Sequence, residues 1–201
     1  MLPDATDNSW QGAPEMVGGA RHRLVGMPTA AEHLADLAAF LTASPTSFHT
    51  AAEGARQLAA AGFVRQDEAN EWDSSPGGHH LVRGGALVAW RVPDGAGPLT
   101  PVRVVGTHTD SPTFVLKPRP DLEAYGWQQL GVEVYGGPLL NSWLDRELGL
   151  AGRLVLTDGS ETLVRTGAIM RIPQLAIHLD RSVNDEGVKL DRQAHTAPVW
   201  S

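Results

Sequence analysis

The sequence predicts an α/β fold, and three kinds of segment support that prediction. Apolar residues recur with helical spacing over residues 29–61, and paired β-like runs occupy residues 81–92 and 154–165. A short apolar run at residues 102–105 lies between the two pairs. Helical and strand segments in one chain are typical of mixed α/β proteins. With 201 residues, the chain is long enough for one hydrophobic core, or for one domain and part of another.

The composition disfavours several functional classes. Lys and Arg number 16 and Asp and Glu number 23, so the formal net charge is −7, which argues against nucleic-acid binding. No apolar run reaches the length of about 20 residues that crosses a bilayer, so no membrane association is expected. The chain has no cysteine and eight histidines, so a transition-metal site must use histidine and carboxylate ligands. This composition is compatible with a cytoplasmic protein.

Composition and the pattern of apolar residues divide the chain into three segments. Residues 1–28 contain several Gly and Pro residues and no apolar period, so we expect a disordered extension there. Residues 29–118 contain the helical pattern and the first β-like runs. Residues 119–201 are richer in short β-like runs, and the boundary is placed where Pro118 and Pro120 interrupt the chain.

Capping signals place two helices in the second segment. The first helix is predicted to start at Thr29, because Thr29 and Glu32 have the spacing of a capping box. Thr50 and Glu53 have the same spacing and are interpreted as the capping pair of the second helix. Gly62 is predicted to end that helix.

Turn signals predict two β-hairpins. The first spans residues 81–92 and turns at residues 84–85, which are both glycine. The second spans residues 154–165 and turns at Asp158-Gly159. An Asp-Gly pair at this place is suited to a two-residue type I′ turn.

Two further apolar runs, residues 102–105 and 172–179, predict strands, and a candidate site follows the first of them. His108 and Asp110 come directly after that run, and ligands gather at the carboxyl ends of strands in open α/β sheets. In an extended chain, residues two apart point to the same side. A metal-bound imidazole usually donates its other ring N–H to a carboxylate, so Asp110 is expected to orient His108. A structural hydrogen-bonded pair is the alternative.

Six ordered blocks of sequence resemble the M18 family of metallo-aminopeptidases, whose typical members are aspartyl aminopeptidases. The blocks fall within residues 40–49, 61–63, 106–118, 134–137, 143–153 and 172–181. The third block contains His108 and Asp110, and the last contains His178. Together the blocks cover nearly all of the chain from about residue 31 onward, which is difficult to explain by chance.

The resemblance implies a two-metal hydrolase built on a sandwiched mixed sheet with flanking helices. Residues 29–118 then form part of that catalytic domain, and residues 119–201 form part of a β-rich dimerisation domain inserted after the His-x-Asp strand. His108 is implied to be a zinc ligand, with Asp110 as its orienting residue. His178 matches a second functional histidine, which binds metal or reaches substrate across a subunit interface. A histidine satisfied inside a sheet is the alternative for His178.

The implied activity is the zinc-dependent removal of N-terminal residues, acidic ones in typical members, from a peptide substrate. The implied cofactor is Zn²⁺, two ions per complete site, and the implied assembly is a homo-oligomer formed through the inserted domain. Family members are longer, and the remaining ligands and a general-base glutamate are expected beyond Ser201. The 201-residue chain alone is therefore expected to lack peptidase activity and to bind zinc weakly, because catalytic zinc usually takes three protein ligands. The alternative is a catalytically inert fragment that acts as an oligomerisation or interaction module.

Overall fold

Two long helices precede the strands in the part of the chain that the computed structural model describes, residues 28–200. In chain order the elements are α1 (Ala30–Ala43), α2 (Ser47–Ala60), β1 (Val64–Arg65), β2 (Gly77–Arg83), β3 (Ala86–Val92), β4 (Thr113–Ala124), β5 (Trp127–Tyr135), a 3-10 turn (Leu140–Trp143), β6 (Ala151–Val155), β7 (Glu161–Arg165), β8 (Met170–Arg171), α3 (Val183–Glu186) and β9 (Val199–Trp200). The sheets have the orders β1-β2-β3, β4-β5-β9-β8 and β6-β7. This mixture confirms the predicted α/β class.

Two expectations concern the chain as a whole. The disordered extension predicted for residues 1–28 lies outside the described residues, apart from Pro28. Among the helices of residues 28–200, none combines the length and the apolar character that a bilayer crossing requires.

The predicted capping box is present at the start of α1. The Thr29 hydroxyl accepts the backbone N–H of Glu32 at 3.2 Å, and the Glu32 carboxylate accepts the backbone N–H of Thr29 at 2.7 Å. Leu34, Leu37 and Leu41 lie on one face of this helix. These leucines are 51–67% exposed, so α1 presents an apolar stripe that the described residues leave uncovered.

The start of α2 corrects the sequence prediction. Thr46, and not Thr50, caps this helix: the Thr46 hydroxyl accepts the backbone N–H of His49 at 3.3 Å and lies 2.8 Å from its ring Nδ1. Thr50 is already helical, and its hydroxyl donates to the carbonyl of Thr46. Pro45 breaks the chain just before Thr46, so the helix begins one turn earlier than the Thr50–Glu53 spacing predicts.

The first sheet is the predicted hairpin with one added strand. β2 and β3 pair antiparallel around the two-residue turn at residues 84–85, and β1 pairs parallel with β2. Helix α2 packs on this sheet through small residues. A methyl group on Gly54 of α2 would lie 2.6 Å from Leu87, and one on Gly78 of β2 would lie 2.6 Å from Phe63. Gly54 therefore allows the close approach of α2 to the sheet, and Gly78 leaves room for the Phe63 ring that follows the helix.

The hairpin of β4 and β5 crosses the predicted domain boundary. The pairing of the two strands shifts register between Leu116 and Asp121. Pro118 and Pro120 lie in this interval, and neither has a backbone N–H to donate to the ladder. The boundary after Pro118 therefore falls at an irregularity inside one long strand, and the division into residues 29–118 and 119–201 stays a prediction.

Two predicted strands are wrong for the described part of the chain. Residues 102–105 form no strand, and their three valines are 82–90% exposed. In residues 172–179, Ile172 makes an isolated bridge with Leu144, and the last three residues form a turn. Apolar runs become strands only where a neighbouring strand takes their backbone hydrogen bonds. Within residues 28–200 no strand pairs with residues 102–105.

The second hairpin is present, with a different turn from the one predicted. The backbone N–H of Gly159 donates to the carbonyl of Leu156 at 2.9 Å, so Thr157 and Asp158 are the central residues of the turn. Gly159 has a φ of +82°, whereas Asp158 is not among the residues with positive φ. A type I′ turn needs positive φ at both central positions, so this turn is not of that type. It runs from Leu156 to Gly159, and its last residue is the left-handed glycine.

Two arginines of the β6–β7 hairpin contact the helices. The Arg153 guanidinium lies 4.4 Å from the centroid of the Phe48 ring in α2. Arg165 donates to the carbonyl of Thr42 in the last turn of α1 at 3.0 Å, where a cation favourably meets the negative end of the helix dipole. These contacts hold the second hairpin against the helical layer.

Candidate functional site

The His-x-Asp segment lies in an irregular loop between β3 and β4. The Thr109 hydroxyl donates to the backbone carbonyl of Gly85 at 2.7 Å, which ties the middle of the loop to the turn between β2 and β3. At its end the loop meets Gly136, where a methyl group would lie 3.3 Å from Cβ of Pro112. Gly136 has a φ of +72°, a backbone conformation that glycine adopts without strain. The loop is thus tied to the β2–β3 turn by Thr109, and its end runs directly into β4.

The ring of His108 is oriented by the backbone of Asp110. His108 Nδ1 lies 2.7 Å from the Asp110 carbonyl oxygen and 3.7 Å from the nearer carboxylate oxygen. A carbonyl only accepts hydrogen bonds, so Nδ1 carries the proton and Nε2 carries the lone pair. The His108 side chain is 79% exposed, and Nε2 has no hydrogen-bond partner among the described residues. The expected hydrogen bond to the Asp110 carboxylate is therefore not formed, and the Asp110 carbonyl accepts in its place.

The carboxylate of Asp110 has a different partner. The Tyr135 hydroxyl donates to Asp110 Oδ2 at 2.5 Å. This hydrogen bond, with a smaller contribution from the backbone of Asp110, lowers the pKa of the Asp110 carboxyl below its ordinary value. The same bond raises the pKa of the Tyr135 phenol. The pair therefore consists of an ionised carboxylate and a protonated phenol at neutral pH.

Sequence reasoning gave Tyr135 no role, although the residue lies in one of the family-like blocks. Tyr135 and Asp110 are 25 residues apart, and no short motif joins them. The signal is the register of the β4–β5 hairpin, which pairs Tyr135 with Thr113 and so places it beside the end of the loop. The sequence alone does not give this register, because it is a property of the folded hairpin.

His178 lies on an exposed turn at residues 177–179, in place of the predicted strand. The alternative of a histidine satisfied inside a sheet is therefore wrong. Across residues 28–200, no group of three or more His, Asp and Glu side chains is arranged to hold a metal ion. The structure accordingly joins His108 with Asp110 but does not complete a ligand set with His178.

The adjacent histidines of β2 form no second candidate site. His79 Nε2 lies 2.9 Å from the carbonyl of Ser75, and its Nδ1 lies 3.1 Å from the amide nitrogen of Gln66, so both ring nitrogens are used. His80 is also buried, and burial, together with the Arg65 charge, lowers its pKa. Neighbouring residues of a strand point to opposite faces, which disfavours a shared metal.

Comparison with known proteins gives a consistent result. The Peptidase_M18 family model, described as aminopeptidase I zinc metalloprotease (M18), matches residues 40–201. "Probable M18 family aminopeptidase 2" of Streptomyces avermitilis is 59% identical over 169 residues, which are 84% of this chain and 39% of that protein. The chain therefore spans well under half the length of this curated relative.

Two solved structures show the same fold. The complex of Ape4 and Nbr1 matches with a TM-score of 0.75 at 34% identity, over 83% of this chain and 33% of that one. The mApe1 dodecamer of S. cerevesiae matches with a TM-score of 0.64 at 26% identity, over 84% of this chain and 47% of that one.

Proposed function

Because this chain belongs to the M18 family of aminopeptidase I zinc metalloproteases, we propose that it forms part of a zinc-dependent aminopeptidase acting on peptides. One structural observation supports the proposal in addition to family membership. The His108 ring donates its Nδ1 proton to the Asp110 carbonyl and exposes the Nε2 lone pair. A metal-ligating histidine is held in this way by a hydrogen bond at its other nitrogen.

The donor set fits zinc as one ligand of a larger site. A neutral imidazole nitrogen suits Zn²⁺, and catalytic zinc usually takes three protein ligands. Since residues 28–200 contain no three-membered group of metal-binding side chains, we infer that His108 supplies one ligand and that other ligands complete the site. Zinc, when bound, supplies Lewis-acid polarisation of the scissile carbonyl. The chain alone is accordingly proposed to bind zinc weakly and to lack peptidase activity.

Further details of the proposal rest on the family resemblance. They are two zinc ions per complete site, a preference for acidic N-terminal residues, and a cytoplasmic location. Asp110 is proposed to orient His108, and His178 is proposed to bind metal or to reach substrate across a subunit interface. The exposure of His178 on its turn supports an intermolecular role.

We also propose that the assembled enzyme is a homo-oligomer. The yeast relative named above is a dodecamer. Among residues 28–200, β6 and β7 form a two-stranded sheet, and Leu154 and Val155 of β6 are 50% and 61% exposed. A strand pair with exposed apolar side chains, whose outer edges pair with no other described strand, is a surface that association can cover. The same surface would serve the alternative function, an inert oligomerisation module.

The zinc content of three forms of the chain tests the proposal. We expect His108→Ala to lower zinc binding, measured by competition with a colorimetric chelator, relative to the unsubstituted chain. His33→Ala is the matched control, because His33 is exposed on α1 and far from this loop in sequence. Equal zinc affinity in all three forms contradicts the role of His108. Turnover of an aspartyl or glutamyl reporter peptide by the 201-residue chain contradicts its proposed inactivity.

A further inference from the structure

The loop that carries His108 depends on side chains from other elements for its conformation. It has no strand hydrogen bonds of its own over residues 101–111. Thr109 anchors it to the β2–β3 turn, and its end continues into β4, where Thr113 pairs with Tyr135. Neither contact touches the side chain of Asp110, whose backbone orients the His108 ring.

Tyr135 supplies the missing contact. Its hydroxyl donates to Asp110 Oδ2 at 2.5 Å, and its backbone is the last rung of the β4–β5 ladder, opposite Thr113. The ring is therefore carried by a hydrogen-bonded strand, whereas the carboxylate belongs to an irregular loop. A hydrogen bond to an ionised acceptor is among the stronger ones, so this contact transmits the rigidity of the hairpin to the loop.

Asp110 passes this constraint to His108 through its backbone. Its carbonyl accepts the His108 Nδ1 proton at 2.7 Å, and its second carboxylate oxygen lies 3.7 Å from the same nitrogen. If the carboxylate is released, the carbonyl of Asp110 loses one of the contacts that fix its direction, and no ladder hydrogen bond over residues 101–111 replaces it. We then expect the His108 ring to populate both neutral tautomers and not the Nδ1–H form alone.

We propose that Tyr135 is a positioning residue for His108: by holding the Asp110 carboxylate, it fixes the carbonyl that keeps the His108 Nε2 lone pair exposed. The consequence for zinc rests on the proposed function, whereas the effect on the ring does not. Partners beyond the direct ligands typically contribute about 10–100-fold to metal affinity. For Tyr135, which acts through Asp110, we expect the lower end, about tenfold.

Long-range ¹H–¹⁵N NMR of the His108 ring at a fixed pH of about 8 tests the proposal. The unsubstituted chain is expected to show the Nδ1–H tautomer, and Tyr135→Phe is expected to show a mixture. Tyr125→Phe is the matched control, because Tyr125 is the other tyrosine of the chain and is fully exposed at the β4–β5 turn. Zn²⁺ affinity is measured on the same three samples by chelator competition.

A single tautomer unchanged in Tyr135→Phe overturns the proposal, as does the same change in Tyr125→Phe. A tautomer change in Tyr135→Phe alone supports it. If that change occurs while no form binds Zn²⁺, the positioning role stands and the proposed function fails.

Should Tyr135→Phe not fold, the unsubstituted chain still gives a test. A downfield Tyr135 hydroxyl proton that disappears in Asp110→Ala supports the hydrogen bond, and its absence in the unsubstituted chain overturns the proposal.

Discussion

His108 donates its Nδ1 proton to the backbone carbonyl of Asp110 at 2.7 Å, while the Asp110 carboxylate lies 3.7 Å from the same nitrogen. The His-x-Asp spacing predicts that the Asp110 carboxylate orients His108, but the main-chain carbonyl of Asp110 makes this contact. Its side chain is free to make another contact, the one to Tyr135. The two groups of Asp110 therefore have separable roles.

Asp110→Asn separates those roles. The substitution keeps the backbone carbonyl, and the Asn side-chain oxygen can still accept from Tyr135. We expect Zn²⁺ affinity to fall by less than about tenfold, below the usual effect of removing a partner of a ligating histidine. His108→Ala, measured beside it by chelator competition, is expected to remove the site. A loss in Asp110→Asn as large as that in His108→Ala would show that the carboxylate orients the ring.

Gly136→Ala tests the left-handed backbone conformation of Gly136, the residue after β5. Gly136 has a φ of +72°, and a methyl group there would lie 3.3 Å from Pro112. We expect a loss of about 1–2 kcal/mol in the free energy of unfolding, the cost of placing a side chain in the left-handed region. Gly137→Ala is the control, because its methyl group would meet no atom within 4 Å and its φ is not positive. Urea denaturation of both variants measures the difference, and equal stabilities contradict the left-handed conformation of Gly136.

Local signals in the sequence predicted part of the local structure. The Thr29–Glu32 capping box and the turn at residues 84–85 formed as predicted, whereas the Thr50–Glu53 spacing and the Asp158-Gly159 pair did not give the predicted cap and turn. The strand predicted at residues 102–105 failed because strand formation depends on a remote partner, which the run itself does not reveal. The Asp110–Tyr135 contact was missed for the same reason, since it depends on the register of a hairpin.

Thr46→Ala tests the corrected start of α2. The Thr46 hydroxyl accepts the backbone N–H of His49, whereas the Thr50 hydroxyl only donates back to a carbonyl of the preceding turn. Loss of a helix N-cap costs about 1 kcal/mol, so Thr46→Ala is expected to lower the free energy of unfolding by that amount. Thr50→Ala, the matched control, is expected to leave it nearly unchanged or to raise it slightly, because alanine is the better helix former. If Thr50→Ala lowered the free energy of unfolding more than Thr46→Ala does, Thr50 would be the helix cap, as the Thr50–Glu53 spacing predicts.

The ion pair of Glu53 and Arg56 on α2 predicts a specific acid sensitivity. Hydrogen bonds from Arg56 and then Gln57 lower the pKa of Glu53 from 4.5 to about 2. A carboxyl whose pKa is lower in the folded state contributes stability that is fully present above its unfolded pKa and is lost as pH falls through its folded pKa. We therefore expect this contribution to decline between pH 4.5 and about 2. Urea denaturation at pH 6, 4 and 3 measures it.

Glu53→Gln isolates the contribution, because the amide keeps the size of the side chain and does not titrate in this range. The stability difference between the unsubstituted chain and Glu53→Gln is expected to be largest at pH 6 and to shrink toward pH 3. Asp36→Asn is the matched control, since Asp36 is exposed on α1 and makes no ion pair among residues 28–200. A difference for Glu53→Gln that does not change with pH would mean that the carboxylate contributes through packing on α2 and not through its charge.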